Sequence, residues 1–352
     1  MPSFFNGGVM DQHRFGPGEL LDDQGNLCEP GYATSLLKRY DRSRIKAPRF
    51  RIKEWDYYLI TNDRFGVALT IDDNGYMGLL SASVLDFDRA SETTVSPMIW
   101  FPMGKTGFPA SSGTGDVQKK LKHAFGSFTH TKEGRRLRFG IDSFRDGKSF
   151  ECDILLTDEP RDSMVIATPF SKRGRFYYNQ KIIGMRAKGY YAIGAERVEL
   201  NPSDTFALLD WGRGVWTYKN TWYWSAAQGE IDGHVFGFNL GYGFGDTSAA
   251  SENMLFCDGM AHKLGRVDFG IPKNAHGTDD LLAPWHFTDD EGRLDLTFTP
   301  IFDRASKTDV KVICSDQHQV FGKFNGLVML DDGSKIRLID FLGFAEKVFN
   351  KW

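Results

Sequence analysis

The feature that most constrains the fold is a succession of short segments with alternating apolar and polar residues, divided by tight-turn signals. From about residue 45, runs such as RFGVALTIDD, RRLRFGIDSF and RLDLTFTPIF follow one another. Asn74-Gly75, Asp146-Gly147 and Asp332-Gly333 stand between such runs. Both residues of each pair tolerate the positive φ of a two-residue hairpin turn. Many short strands joined by tight turns are typical of a β-barrel or a β-sandwich.

Helical periodicity is almost absent by comparison. YATSLLKRY, GDVQKKLKHAF and FAEKVFNKW are the candidates for short helices. The aromatic content is high, at 14 %, and aromatic residues favour strands and also line apolar ligand pockets. The sequence therefore predicts an all-β protein with few short helices.

A faint internal repeat suggests that the chain is a duplication. In each copy a glycine opens a hairpin that ends on an acid, and a tryptophan follows six residues later: Gly189, Asp210 and Trp216, then Gly326, Glu346 and Trp352. A chain of 352 residues also suggests two domains. We expect a lead-in segment at 1–44, a first barrel at 45–205 and a second barrel at 206–352.

Composition excludes several classes of protein. A net charge of −3 argues against a nucleic-acid partner, and no apolar run is long enough to form an integral membrane segment. Four widely spaced cysteines and the lack of a signal-peptide pattern at MPSFFNGGVM favour a cytoplasmic protein. The histidines show no zinc-like spacing, so we expect no metal. GYGFGD lacks the context of a dinucleotide site, and no cofactor is expected. The sequence leaves the oligomeric state open.

The region richest in candidate functional residues is 206–265, which holds four tryptophans and many glycines. In HVFGFNLGY, one face of the predicted strand carries Val235, Gly237, Asn239 and Gly241. This face is nearly bare, with Asn239 as its polar group. It could form a cavity wall from which Asn239 contacts a ligand. Alternatively, a tryptophan from a neighbouring strand fills the space.

An acid buried among tryptophans would hold a proton at neutral pH, as a general acid requires. Aromatic faces would then stabilise a developing cation. Asp210 is the leading candidate, unless the nearby Arg213 pairs with it and keeps it ionised. The candidate catalytic residues are Asp210, Glu252 and His262. The candidate ligand-binding residues are Trp211, Arg213, Trp222, Trp224, Asn239, Asp246, Asn253 and His286. Packing of the histidines and surface roles for the acids are the alternatives.

Consecutive polar residues follow an aromatic run in FYYNQKIIG. We expect this segment, with Asn179, Gln180 and Lys181, to bridge the two barrels.

Several stretches resemble a bacterial family that is known as a domain of unknown function: LLDDQGNLCEPGYA, RIKEWDYY, FYYNQKIIGM, LLDWGRGVW, FGFNLGYGFGD, SENMLFCDGMAHKLG and DDGSKIRLIDFLGFAEKV. The resemblance covers nearly the whole chain. That family is in turn distantly similar to the double lipocalin-like (calycin) group of carotenoid hydratases, tocopherol cyclases and fungal Diels–Alderases. The resemblance implies two fused lipocalin-like antiparallel barrels with an apolar ligand inside a barrel or between them. It carries over no catalytic residue, because fold alone does not determine function.

Three functions are compatible with these features. The first is an enzyme that binds or transforms a hydrophobic, isoprenoid- or lipid-like molecule by acid-assisted hydration, cyclisation or isomerisation. The second is a non-catalytic lipocalin-type binding protein. The third is a structural protein whose barrels are filled by their own side chains.

Overall fold

A computed structural model describes residues 10–310 and 313–352, and nearly all of its regular structure is β-strand. Near the N-terminus, β1 (Gly18–Glu19) and β3 (Lys38–Arg39) form a small parallel sheet, and β2 (Gly31–Ala33) joins the first large sheet. Single-turn 3-10 helices follow at Arg42–Arg44 and Arg49–Arg51. The first sheet is built from β4 (Lys53–Thr61), β5 (Phe65–Asp73), β6 (Met77–Asp86), β7 (Ser91–Val95), β8 (Met98–Trp100), β9 (Val117–Lys120), β10 (Ala124–Thr131), β11 (Gly134–Arg145), β12 (Lys148–Thr157), β13 (Met164–Pro169), β14 (Phe176–Ile193), β15 (Glu196–Leu200) and β16 (Phe206–Val215), together with β2. The second sheet is built from β17 (Lys219–Ile231), β18 (His234–Tyr242), β19 (Met254–Cys257), β20 (Met260–Lys263), β21 (Val267–Asp268), β22 (Trp285–Asp289), β23 (Leu294–Asp309), β24 (Cys314–Met329) and β25 (Lys335–Lys351).

Both sheets are antiparallel and share one strand order. The main path of the first sheet is β7-β6-β5-β4-β16-β14-β12-β11-β10-β9. The second sheet runs β20-β19-β18-β17-β25-β24-β23-β22-β21. In each sheet the first long strand pairs with the last one, as β4 does with β16 and β17 with β25. The chain is therefore a duplicated unit, as the internal repeat predicted.

The two glycines of the repeat occupy equivalent positions. Gly189 in β14 has a φ of +123°, and Gly326 in β24 has a φ of +144°. A Cβ atom at either position would collide with a carbonyl oxygen of the paired strand, that of Asp153 or Asp295. Each glycine thus permits a backbone approach that no side chain would allow.

We expect Gly189→Ala and Gly326→Ala each to lower the free energy of unfolding by about 2 kcal/mol, since both combine positive φ with a steric collision. Urea denaturation measures the change. Gly16→Ala is the control, because a Cβ there meets nothing within 4 Å. A loss from only one of the two variants would contradict the equivalence of the two positions.

Both barrel interiors are filled by their own side chains. The first encloses a large cluster that includes Tyr58, Phe139 and Trp211. The second encloses an aromatic cluster that includes Trp285 and Phe287, with Phe269 stacked on Phe287 at 4.3 Å between ring centroids. A third cluster lies between the two sheets. The layer between the barrels is therefore the candidate location for a ligand chamber.

The all-β class is confirmed, and a hairpin lies at each of the three turn signals, but both residues have positive φ only at Asp146-Gly147. Three local predictions are wrong. YATSLLKRY, GDVQKKLKHAF and FAEKVFNKW are not helical, because each contributes residues to strands that pair with a neighbour. The expected division at 205/206 would place β16 in the second barrel. In the structure β16 pairs with β14 and β4, so the first sheet extends to Val215. No helix in the described ranges has the length and apolarity to cross a membrane.

Candidate functional site

The third cluster defines a layer between the barrels, which we call the seam. Strand alternation selects its residues. On β14, Tyr178 points into the first barrel while Tyr177 points into the seam. On β17, Trp222 and Trp224 face the seam while Tyr223 packs on the second barrel. The seam is therefore formed by the outer faces of both barrels.

Asp210 lies in the seam with a cationic partner. Its Oδ1 atom is 2.8 Å from Lys181 Nζ, and both side chains are almost fully buried. Asn179 Nδ2 donates to the same oxygen at 2.6 Å. Lys181 Nζ also lies 3.7 Å from the centre of the Trp224 ring, so the ammonium contacts the second barrel through a cation–π interaction. Lys181 thus bridges the barrels, whereas Asn179 hydrogen-bonds to Asp210 and Trp211 of β16, within the first sheet, and Gln180 points into the first barrel towards Ser112 and Ser163.

Glu346 on β25 is the counterpart of Asp210 in the second copy. Asp210 is paired in register with Lys181 and Tyr57, and Glu346 with Gln319 and Trp224. Its carboxylate accepts hydrogen bonds from Trp222 Nε1 at 2.9 Å and from Gln319 Nε2 at 3.3 Å. Burial raises the pKa of Glu346 to about 7, and the negative charge of Asp210 adds to the effect.

Glu252 adds a third buried acid from the loop that follows β18. Burial raises the pKa of its carboxyl, Lys181 opposes the rise, and Asp210 adds to it. Gly241 makes room for this carboxylate, since a Cβ there would lie 2.6 Å from Glu252 Oε1. Asn239 holds the adjacent backbone, because its Nδ2 donates to the Glu252 carbonyl at 2.8 Å while its Oδ1 accepts from Trp224 Nε1 at 2.7 Å. The space over the bare face is thus occupied by Ile183 at Gly237 and by Glu252 at Gly241, while Trp224 bonds to Asn239.

Two phenols complete the polar part of the seam. The Tyr57 hydroxyl is buried and makes no hydrogen bond of acceptable geometry, and burial raises its pKa to about 12. Burial also raises the pKa of Tyr177 well above the ordinary value, and the charges of the three seam acids add to the effect. The charges of Asp210, Glu252 and Glu346 therefore all act on the phenol of Tyr177.

Aromatic rings surround these polar groups. Trp55 stacks on Tyr177 with 6.1 Å between centroids, and Phe244 meets Tyr177, Trp216 and Trp222 edge-on at 4.8–5.1 Å. Such faces present negative potential and favour a cation held against them. The seam thus combines acidic groups in a poorly solvated site with walls that suit a positively charged intermediate.

Burial favours a bound proton on these acids. Asp210, Glu252 and Glu346 are all buried; Lys181 acts on both Glu252 and Glu346, while Lys263 acts on Glu252 and Arg304 on Glu346. These cations offset only part of the cost of burying ionised carboxylates, because burial still raises the pKa of Glu252 and Glu346. With a pKa of about 7, Glu346 is the acid of this group that holds a proton near neutral pH.

The structure brings together five of the residues singled out in the sequence: Asp210, Trp222, Trp224, Asn239 and Glu252. Trp211 and Arg213 point into the first barrel instead. Arg213 pairs with Asp56 at 3.0 Å, so the alternative in which it pairs with Asp210 is not the arrangement observed. The two residues lie three apart on a strand, and their side chains therefore point to opposite faces.

The remaining candidates lie away from the polar centre of the seam. His262 is next to Asp331, His286 is half-exposed near Asp295, and Asp246 is an exposed loop residue. Asn253 holds the second barrel together, accepting from Gly241 N and donating to the Gly265 carbonyl.

Glu346, Tyr57 and Tyr177 were not among the candidate catalytic or ligand-binding residues predicted from the sequence. Glu346 had a signal in the sequence, since the repeat aligns it with Asp210. The tyrosines had none, because only the docking of the barrels places their hydroxyls near the acids.

One group of side chains in the described ranges has metal-like spacing, although no metal was expected. His234, Cys257 and Asp258 place one potential ligand atom each within 4.8 Å of one another. His234 Nδ1 already bonds Asp258 Oδ2 at 2.6 Å. This exposed ion pair accounts for two of the three positions.

Comparison with known proteins supports the fold. No curated protein sequence matches the chain. A crystal structure of a protein assigned as AttH, from Nitrosomonas europaea, is similar with a TM-score of 0.54 and 12 % identity over 88 % of this chain and 97 % of that one. Kievitone hydratase from Nectria haematococca aligns with a TM-score of 0.47 and 10 % identity, over 96 % and 98 % of the two chains. CghA aligns with a TM-score of 0.40 and 8 % identity, over 96 % and 97 %.

The similarity to the AttH structure and the duplicated strand order support two fused lipocalin-like antiparallel barrels. The model of a family described as a domain of unknown function, DUF2804, matches residues 12–352. The chain therefore belongs to the DUF2804 family.

Proposed function

We propose that the protein binds an apolar, isoprenoid- or lipid-like small molecule in the seam and that Glu346 donates a proton to it. Protonation of a carbon–carbon double bond there would lead to hydration, cyclisation or isomerisation. The observation that carries the proposal is the burial of Asp210, Glu252 and Glu346 around Lys181, among tryptophan rings.

Unpaired polar atoms support a ligand or water in the same layer. Within residues 10–310 and 313–352, Asn179 Oδ1 and Trp216 Nε1 are buried without a hydrogen-bond partner. Buried polar atoms are seldom left unpaired, and a ligand or water in the seam would satisfy them. Asn179 also contacts Asp210, which places one of these atoms beside the acids.

A cleft leads towards this layer. It has a volume of 480 Å³ and is lined by residues that include Gln228, Phe206 and Leu342. A narrow apolar pocket next to it is lined by Leu342, Gln228 and Phe344. The Phe344 ring contacts Trp224 at 4.8 Å between centroids. The cleft and the pocket thus open towards the apolar edge of the seam, the side from which we propose that an apolar molecule enters.

The roles within the site follow from the contacts. Asp210 is held by Lys181 and Asn179, so it acts as a fixed negative charge that stabilises a cation. Glu346 has a pKa near neutrality and is the group that can deliver a proton at physiological pH. The Trp222 and Trp224 rings would face the developing positive charge.

We expect Glu346→Gln to reduce turnover about a hundredfold, since general acids contribute a factor of this order or more. The assay incubates the protein with farnesol or squalene in deuterium oxide, and with any compound recovered by organic extraction of the purified protein. Mass spectrometry then measures incorporated deuterium. Glu199→Gln is the control, because Glu199 is an exposed acid of β15 that lines neither the cleft nor the seam.

Equal deuterium incorporation by Glu346→Gln and the unmodified protein would contradict the role of Glu346. A compound that co-purifies and never exchanges would instead favour the non-catalytic binding protein. The interiors of both barrels are filled by their own side chains, which favours a structural role for the interiors. The seam is therefore the location that we propose for a ligand.

A further inference from the structure

A group of cations without acidic partners lies at one end of the seam. Lys53 is only 4 % exposed, and among the described residues it makes no hydrogen bond or ion pair. Arg51 donates one hydrogen bond, to the Trp216 carbonyl at 3.3 Å, and Arg175 has no acidic partner in the same ranges. These three residues form what we call the basic end of the seam.

The positive charges of these residues act on one another, as the charges around an anion-binding site do. Burial lowers the pKa of Lys53 to about 7, and the charge of Arg51 contributes to the decrease. Burial lowers the pKa of Arg175 as well, again with a contribution from Arg51. Asp72 is the one acid whose charge acts on Lys53; it forms no ion pair with it and accepts a hydrogen bond from Leu79 N at 2.6 Å. An anion placed among these cations would therefore be stabilised by all three.

The other buried lysines of the described ranges have oxygen partners. Lys38 pairs with Glu29 and Lys181 with Asp210. Lys263 Nζ donates to three oxygens, including the Asn253 carbonyl at 2.9 Å. Burying an ammonium without such acceptors is unfavourable. Lys53 is thus the exception, and its position calls for a function rather than a structural explanation.

Aromatic rings connect Lys53 to the seam. Its Nζ lies 4.9 Å from the ring centre of Trp352 and 5.4 Å from that of Trp216, the two tryptophans of the internal repeat. Trp216 contacts Trp222, which donates to Glu346. On β4, Lys53 and Tyr57 are four residues apart, a distance of about 13 Å along a strand. A chain of about ten carbons would span from the basic end to the acids.

We propose that Lys53, Arg51 and Arg175 bind the anionic head group of an amphiphilic ligand, a carboxylate or a phosphate, whose apolar chain lies in the seam. The proposal rests on the proposed function for the location of the chain, and it adds the chemical class of the ligand. A head group held at the basic end would position a fixed part of the chain beside Glu346.

The test compares three ligands with one chain: dodecanoate, dodecyl phosphate and dodecanol, each below its aggregation limit. Tryptophan fluorescence reports binding, because Trp216 and Trp352 flank Lys53. We expect the better of the two anions to bind at least tenfold more tightly than dodecanol, and the stronger anion identifies the head group. Lys53→Met should remove this tenfold preference and leave dodecanol affinity unchanged. Lys148→Met, which removes an exposed lysine of the first barrel, should alter neither affinity.

The outcomes separate the two proposals. Dodecanol binding as tight as that of both anions, or equal weakening of all three ligands by Lys53→Met, would overturn the basic end as a head-group site while the seam remains a ligand site. Failure of all three ligands to bind would overturn both proposals. Should Lys53→Met not fold, Arg51→Gln provides the same comparison, since Arg51 is a partly exposed member of the group.

Discussion

Lys181→Met is expected to lower the free energy of unfolding by about 4 kcal/mol, because removing one partner of a buried ion pair leaves an uncompensated charge. The Lys181 and Asp210 side chains are 3 % and 10 % exposed, so water cannot replace the lost partner. The substitution also removes one of the cations whose charge lowers the pKa of Glu252 and Glu346. Urea denaturation at pH 7 measures the loss.

Two controls make this result specific to the seam. Lys148→Met breaks an exposed pair with Glu196 and should leave the stability unchanged within error. The double substitution Lys181→Met with Asp210→Leu should be more stable than Lys181→Met alone, because the Asp210 carboxylate no longer lies buried without its partner. A loss below about 1 kcal/mol for Lys181→Met would show that the pair behaves as a solvated surface pair.

Stability should depend on pH through Glu346. Its pKa is about 7 in the folded protein against an ordinary value of 4.5, so the folded state binds the proton more tightly. Below pH 4.5 the group is protonated in both states and the stabilisation is fully present; it is lost as the pH rises to about 7. The difference corresponds to about 3 kcal/mol. Glu346→Gln stays neutral at every pH and keeps an oxygen to accept from Trp222.

The measurement is therefore a comparison of the two proteins across pH. We expect Glu346→Gln to match the unmodified protein near pH 4.5 and to exceed its free energy of unfolding by about 3 kcal/mol at pH 8. Other groups with shifted pKa values, such as Asp72, Lys53 and Lys263, are present in both proteins. Their contributions therefore cancel when the two free energies of unfolding are subtracted. A difference that is independent of pH would contradict the raised pKa of Glu346.

Much of the fold could be predicted because its signals are local. Asp146-Gly147 forms a hairpin turn since both residues adopt positive φ there. Alternation in HVFGFNLGY correctly separated Phe236 and Phe238 from Asn239. The FAEKVFNKW segment was harder, because its helical spacing is weak and pairing of β25 with β17 and β24 outweighs local preference.

The candidate site could be predicted only in part. The repeat linked Asp210 to Glu346, and the tryptophans of β17 were recognised as possible walls. Arg213 and Trp211 were assigned to the site because they are neighbours of Asp210 in the chain, and strand geometry sends both of them to the other face. Tyr177 was passed over because nothing nearby in the sequence indicates which groups its hydroxyl meets.

The sequence by itself determined the strands, the turns and which side chains share a face, since these depend on residues close together in the chain. Only the tertiary structure decided that the faces bearing Asp210 and Asn239 look across the seam rather than into a barrel. That choice depends on the direction in which each sheet curls and on the docking of one barrel against the other. Asp210, Glu252 and Glu346 come from distant parts of the chain, and burial against the opposite barrel is what raises the pKa of Glu252 and Glu346.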